Sequence, residues 1–143
     1  MATVYLRRLH GWRFVLFNVV LGLSHIVVLF NAGSYIALLP HVSGDLGGVL
    51  PSFLTWAQTD FMVGLALGFP LARYLSGRIG DYRLLIGAFM VYSVASYLCG
   101  DSQTLAQFVP ARIVQGIAGG ITLPIAQSML LNEYPKRLKA VAL

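Results

Sequence analysis

Four stretches of this chain are apolar for about the length a helix needs to cross a lipid bilayer, and polar residues gather between them. The hydrocarbon core of a bilayer is about 30 Å thick, which a helix covers in about 20 residues, with a range of roughly 17 to 25. The stretches are residues 14–39, 53–74, 84–99 and 104–131. A tail of residues 1–13 precedes them and a polar segment, 132–143, follows. Backbone N–H and C=O groups have no water to bond in lipid, so each stretch must satisfy its own as a helix. The expected fold is therefore all-α, a polytopic transmembrane helix bundle of about four spans. Composition agrees. Hydrophobic residues make up 57% of the 143 and charged residues only 10%, against roughly 25% charge in an ordinary soluble domain. A soluble fold of this size could not keep so much apolar surface out of exposed patches.

Local signals place the boundaries. The first stretch is long, so its helix must tilt or project past the bilayer. Pro40 is expected to close it, because the residue before a proline avoids the helical region. A loop over 41–52 is predicted from Ser43, Gly44, Asp45, Gly47 and Gly48. Trp56 near the start of the second span suits an interfacial anchor. A basic loop over 75–83 leads to the short third span, and a tight polar turn over 100–103 to the fourth. The N-terminal stretch is too long for a signal-peptide core and lacks an Ala-x-Ala cleavage site after it, so it reads as a retained span.

The net charge is +5, but the basic residues do not form the single stripe that nucleic-acid binding would require. Arg7, Arg8 and Arg13 precede the first span; Arg73, Arg78 and Arg83 surround the second connection; Lys136, Arg137 and Lys139 follow the fourth span. The other two connections hold no Lys or Arg. The positive-inside rule then puts the N-terminus and residues 132–143 in the cytoplasm, which an even number of spans allows. The expected location is the plasma membrane, multi-pass, which is the inner membrane in a Gram-negative cell.

Polar residues inside a span are costly, by about 2.5–3.5 kcal/mol for Arg or Asp at a helix centre. Asn31 in the first span, Asp60 in the second and Arg112 in the fourth each lie roughly 10–12 Å from the outer end of their helix at 1.5 Å per residue. A shared depth predicts that Asp60 pairs with Arg112. Gln115 stands three residues after Arg112, on about the same helix face. Gly116 and Gly120 have the spacing that lets helices approach closely, and Gly64 and Gly68 repeat it in the second span. Tyr35, Phe61 and Tyr92 are candidates for an apolar pocket, with lipid or packing contacts as the commoner role. Cys99 reads as a buried inert thiol and His25 as a satisfied or lumen-facing residue. No Cys/His cluster has metal-ligand spacing, and no catalytic triad or phosphate-binding motif is present. Neither an enzyme nor a cofactor is expected.

Together these motifs resemble the N-terminal part of a major facilitator superfamily transporter, of the fourteen-helix drug:proton antiporter type. Arg112, Gln115 and Gly116 match the family's span-four motif Arg-x-x-Gln-Gly-x-Gly, with Ala118 where the second glycine is usual. Ala37, Leu38, Leu39 and Pro40 match the end of its span-one motif, and Asp45-Leu46 the pair after it. Trp56 matches the tryptophan opening span two. Pro70-Leu71 and the segment Arg78, Ile79, Gly80, Asp81, Tyr82, Arg83, Leu84 resemble the cytoplasmic loop motif. Asn132 to Arg137 resembles the segment before span five. The resemblance covers about residue 31 to the end. Three positions depart from it: Asn31 replaces the span-one acid, Arg73 a small residue opening the loop motif, and Gly77 an acid in that loop. The resemblance implies an incomplete major facilitator fold that exports small amphipathic, drug-like compounds in exchange for protons, with the lipid bilayer, a small-molecule substrate, protons and a missing remainder of the transporter as partners. Arg112, Asn31 and Gln115 are then candidates for coupling or substrate binding; Asp60 matches no motif position and is expected, as an intramembrane acid, to take over the role of the missing span-one acid opposite Arg112. A stand-alone four-span oligomer or a non-functional fragment are the alternatives.

Overall fold

The structure is a computed structural model that describes residues 11–48 and 50–133. Arg7, Arg8, His10, Lys136, Arg137 and Lys139 lie outside the described residues. Four helices follow in order: α1 (Trp12–Asp45), α2 (Pro51–Ile79), α3 (Asp81–Asp101) and α4 (Leu105–Glu133). No strand occurs among the described residues. Helix α1, helix α3 and the Leu105–Asn132 part of α4 are long and apolar enough to cross a membrane. Helix α2 is not among them; Gln58, Thr59, Asp60 and Arg73 dilute its apolar run, although its 29 residues rise about 43 Å.

Pro40 does not end the first helix. Helix α1 continues through it to Asp45, for 34 residues. Proline removes only its own N–H, and membrane helices tolerate that loss where neighbouring helices support the backbone. The helix stops instead at Gly47 and Gly48, which have φ of 81° and 78°, a left-handed region glycine adopts without a Cβ clash. Their N–H groups close the last turn onto Gly44 and Ser43 carbonyls at 3.1 and 2.9 Å. The predicted loops shrink accordingly. Between α2 and α3 only Gly80 is non-helical, with φ 88° and ψ 147°, a conformation that essentially only glycine adopts. The Ser76 hydroxyl donates to the Asp81 carboxylate across this turn, and Asp81 places negative charge at the start of α3, where the helix dipole favours it. Gly100 and Asp101 belong to α3, leaving residues 102–104 as the next connection.

Side-chain contacts establish the direction of each helix. The Tyr35 hydroxyl donates to the Leu54 carbonyl at 3.0 Å, and Gln58 Nε2 to the Ala32 carbonyl at 3.0 Å. As one number rises the other falls, so α1 and α2 are antiparallel. Arg112 meets Asn31 and Gly119 meets Val28, which makes α4 antiparallel to α1. Gly64 lies against Gly116 and Gly68 against Gly120, so α2 and α4 run the same way.

Helix α4 is the central element. It makes extensive contact with α2, less with α3 and least with α1. Half of its most apolar window is buried, against 17% for α1. The α2–α4 seam is built on the four glycines of the repeated spacing. A Cβ on Gly64 would stand 2.5 Å from the Ile113 carbonyl oxygen, and one on Gly68 2.5 Å from that of Ile117. Cβ atoms on Gly116 and Gly120 would collide with the carbonyl oxygens of Phe61 and Leu65. Bare backbones therefore touch, and dispersion rather than the hydrophobic effect holds them, as lipid tails are as apolar as leucine. The outer faces expose Val20, Ile26, Leu29 and Phe30 on α1 and Met90, Val94 and Tyr97 on α3. Such faces suit lipid or further helices.

Candidate functional site

One helical turn before Gly116, α4 carries a long charged side chain. Arg112 projects from α4 into the space between α1 and α2 and is only 3% exposed. Its Nη1 donates to Asn31 Oδ1 at 2.8 Å and to Gln115 Oε1 at 2.8 Å. Its Nη2 donates to Gln58 Oε1 at 2.9 Å. The guanidinium carbon lies 4.3 Å from the Tyr35 ring centroid and 4.7 Å from that of Phe61. The cation thus meets two aromatic quadrupoles while its N–H groups meet amide oxygens.

The partners are themselves held. Gln58 is fixed through its Nε2 to the Ala32 carbonyl, so its oxygen must face Arg112. Tyr35 is fixed through its hydroxyl to Leu54 and stacks on Phe108, with centroids 6.0 Å apart. Gln115, 1% exposed, has Cys99 Sγ at 4.0 Å from its Oε1. Tyr92 is buried beside Val28 and Ala118, and no described residue bonds its hydroxyl. Tyr35, Phe61 and Tyr92 therefore pack inward rather than onto lipid.

Asp60 is where the sequence expectation and the structure part. It makes no ion pair with Arg112. Gln58, two residues earlier on α2, meets the guanidinium instead. Side chains two apart on a helix point about 200° away from each other, so Gln58 faces α1 and Arg112 whereas Asp60 is half-buried on the other flank of α2. A common depth gave no information about azimuth. The signal for Gln58 was present: it flanks the buried stripe Leu54, Ala57, Phe61 and Gly64, on the side where Leu54 also receives the Tyr35 hydrogen bond.

The remaining site residues lie elsewhere. Arg78 stacks over Tyr74 at 4.6 Å. Gly80 and Asp81 form the α2–α3 turn described above, and Arg83 is exposed. His25 is half-buried, with Nδ1 at 3.0 Å from the Leu21 carbonyl oxygen. No group of His, Cys, Asp and Glu capable of holding a metal occurs among the described residues.

A membrane helix bundle with a buried, amide-bound arginine beside a glycine seam is the class of protein these observations define. The family model of the Major Facilitator Superfamily matches residues 21–143, and the chain belongs to that superfamily. It is 33% identical over 135 residues to the multidrug export protein EmrB of Escherichia coli K12, covering 94% of this chain and 26% of that relative. It is 35% identical over 125 residues to the fatty acid resistance protein FarB of Neisseria gonorrhoeae, covering 86% of this chain and 24% of the relative. Over 94 residues it is 33% identical to multidrug resistance protein 3 of Bacillus subtilis, covering 64% of this chain and 18% of the relative. The chain thus spans about a quarter of the length of the first two of these curated relatives. No solved structure matches it.

Proposed function

We propose that these four helices are the N-terminal part of an exporter of small amphipathic compounds, driven by proton exchange. The observation that carries the reading is Arg112, a permanently charged group closed inside a membrane helix bundle and bound, among the described residues, only by neutral partners. Such a group is expensive in lipid and is characteristically tied to a transport pathway. The family and the names of the relatives support the same reading. The basic residues flanking the first span and the second connection support a cytoplasmic N-terminus in the plasma membrane.

The proton-carrying group in this reading is Asp60. Of the five acidic residues in the chain, Asp45, Asp81, Asp101 and Glu133 are terminal residues of helices. Asp60 alone sits within one. Its helix also supplies Gln58 and Phe61 to the arginine site, so a charge change at Asp60 acts on the element that touches Arg112. The test uses the complete transporter that carries this segment, reconstituted in liposomes with an imposed pH gradient. Asp60→Asn is expected to abolish pH-driven movement of ethidium while the protein still inserts. Undiminished pH-driven movement in the variant would remove Asp60 from the mechanism.

A further inference from the structure

A cavity of about 900 Å³ lies between α3 and α4. It opens on the far side of α4 from the arginine site. Pro110 and Val114 on its wall each stand two residues from Arg112, hence about 200° round the helix from it. The wall on α3 is Met90, Val91, Val94 and Leu98. Met90, Val94 and Leu98 are each more than half exposed, so no described side chain covers this wall.

The mouth of the cavity has a different chemistry. Asp101, at the end of α3, lines it together with Gln103 and Gln107, and the Asp101 carboxylate is exposed. The two connections at this end of the bundle hold no Lys or Arg. Gln107 accepts the Gln103 backbone N–H through Oε1 at 3.3 Å, which leaves its Nε2 donors for another acceptor. The mouth thus offers a carboxylate to a cation and, beside it, amide donors to an anion.

The height of the cavity narrows the choice of occupant. From Met90 to Asp101 the helix rises about 16 Å at 1.5 Å per residue. Half of a hydrocarbon core of about 30 Å is about 15 Å. The positive-inside reading puts Asp101 at the outer surface, so the cavity spans the outer leaflet. Past Val91 and Val114 only a hollow of about 250 Å³ continues, toward Leu84 and Ile121. A further transmembrane helix seated here would need an open groove over the full height of the bilayer, whereas an acyl chain needs one leaflet.

We propose that this cavity binds one outer-leaflet phospholipid with a primary ammonium head group, phosphatidylethanolamine, its acyl chain between α3 and α4, its ammonium on Asp101 and its phosphate at the Gln107 amide. A charge-assisted N–H to carboxylate bond is roughly twice as strong as a neutral one, and the same carboxylate repels a lipid of net negative charge. The inference takes the outer position of Asp101 from the topology proposed above and is separate from the transport site.

The experiment uses the complete transporter in liposomes that hold, in both leaflets, phosphatidylethanolamine or phosphatidylglycerol carrying the same photoreactive diazirine acyl chain. Labelled residues are located by mass spectrometry. Labelling of the wall from Met90 to Leu98 and at Val114 is expected to be at least fivefold stronger from the ethanolamine lipid. Asp101→Asn is expected to bring the two lipids to within twofold of each other. Val94→Trp, which fills the cavity, is expected to cut labelling by the ethanolamine lipid fivefold or more. Equal labelling by the two lipids in the parent, or an unchanged preference in Asp101→Asn, overturns the inference. A wall that neither lipid labels is covered by another segment of the protein and overturns it too. With probes in both leaflets and no gradient imposed, a reversed topology or a failure to move ethidium leaves these readouts unchanged.

Discussion

Helices α2 and α4 meet in two ways within a few turns of each other. Toward one end they touch through Gly64, Gly68, Gly116 and Gly120, backbone on backbone. Toward the other they meet through the Arg112 side chain, with the Phe61 ring 4.7 Å from the guanidinium carbon and Gln58 Oε1 2.9 Å from Nη2. The glycine seam is rigid because carbonyl groups, not side chains, fill the space where a Cβ would go. The arginine site is held by side chains instead, amide oxygens at its N–H groups and aromatic rings beside it. Its energetics are also close to balanced. Interhelical hydrogen bonds in membranes average about 0.6 kcal/mol, so the two to Asn31 and Gln58 contribute about 1.2 kcal/mol against an insertion cost of about 2.5–3.5 kcal/mol for the arginine. Two cation–π contacts, each about 0.5–2 kcal/mol, cover the remainder. One region thus stabilises the bundle, while the other holds a charge at roughly zero net gain.

The largest effect that would break this contrast is at the seam. Gly116→Leu is expected to prevent α2 and α4 from packing, because the Phe61 and Leu65 backbone atoms that a Cβ would meet cannot give way. The complete protein should then lose its monodisperse peak in detergent; an unchanged peak would mean that the seam is not the structural anchor. Next is Arg112→Met, which removes the charge but keeps a long apolar side chain. Transport should fall to background while thermal stability stays near that of the parent, because lost bonds and relieved insertion cost are of similar size. A collapse in stability would place Arg112 with the seam as a structural element. The smallest effect is at Gly119, whose Cβ would meet the Val28 side chain at 3.1 Å rather than backbone. Gly119→Ala should change stability by less than about 1 kcal/mol, since a small shift of Val28 is set against alanine's better helix propensity. A Gly116→Leu-like loss there would show that side-chain neighbours are as unyielding as backbone.

Much of this was legible in the sequence because it depends on local quantities. The length of apolar runs dictates membrane helices, since unpaired backbone groups are intolerable in lipid. The repeated spacing of Gly64 and Gly68 with Gly116 and Gly120 marked two faces suited to close approach. The three-residue step from Arg112 to Gln115 marked one polar face, and those two side chains do bond. Pro40 misled because a proline's effect on a helix depends on what surrounds it. The backbone of α1 carries on until two glycines offer a conformation that ends it.

By itself, then, the sequence determined that the chain forms membrane helices and which of their faces are small. Rise per residue and helical periodicity are properties of one helix and need no partner. Only the tertiary structure decided that Arg112 faces Gln58 and Asn31 rather than Asp60, and that two aromatic rings enclose it. That choice is rotational. It depends on how α1 and α2 turn about their own axes when the glycine seam brings α4 against them, and the seam is a contact between segments about fifty residues apart.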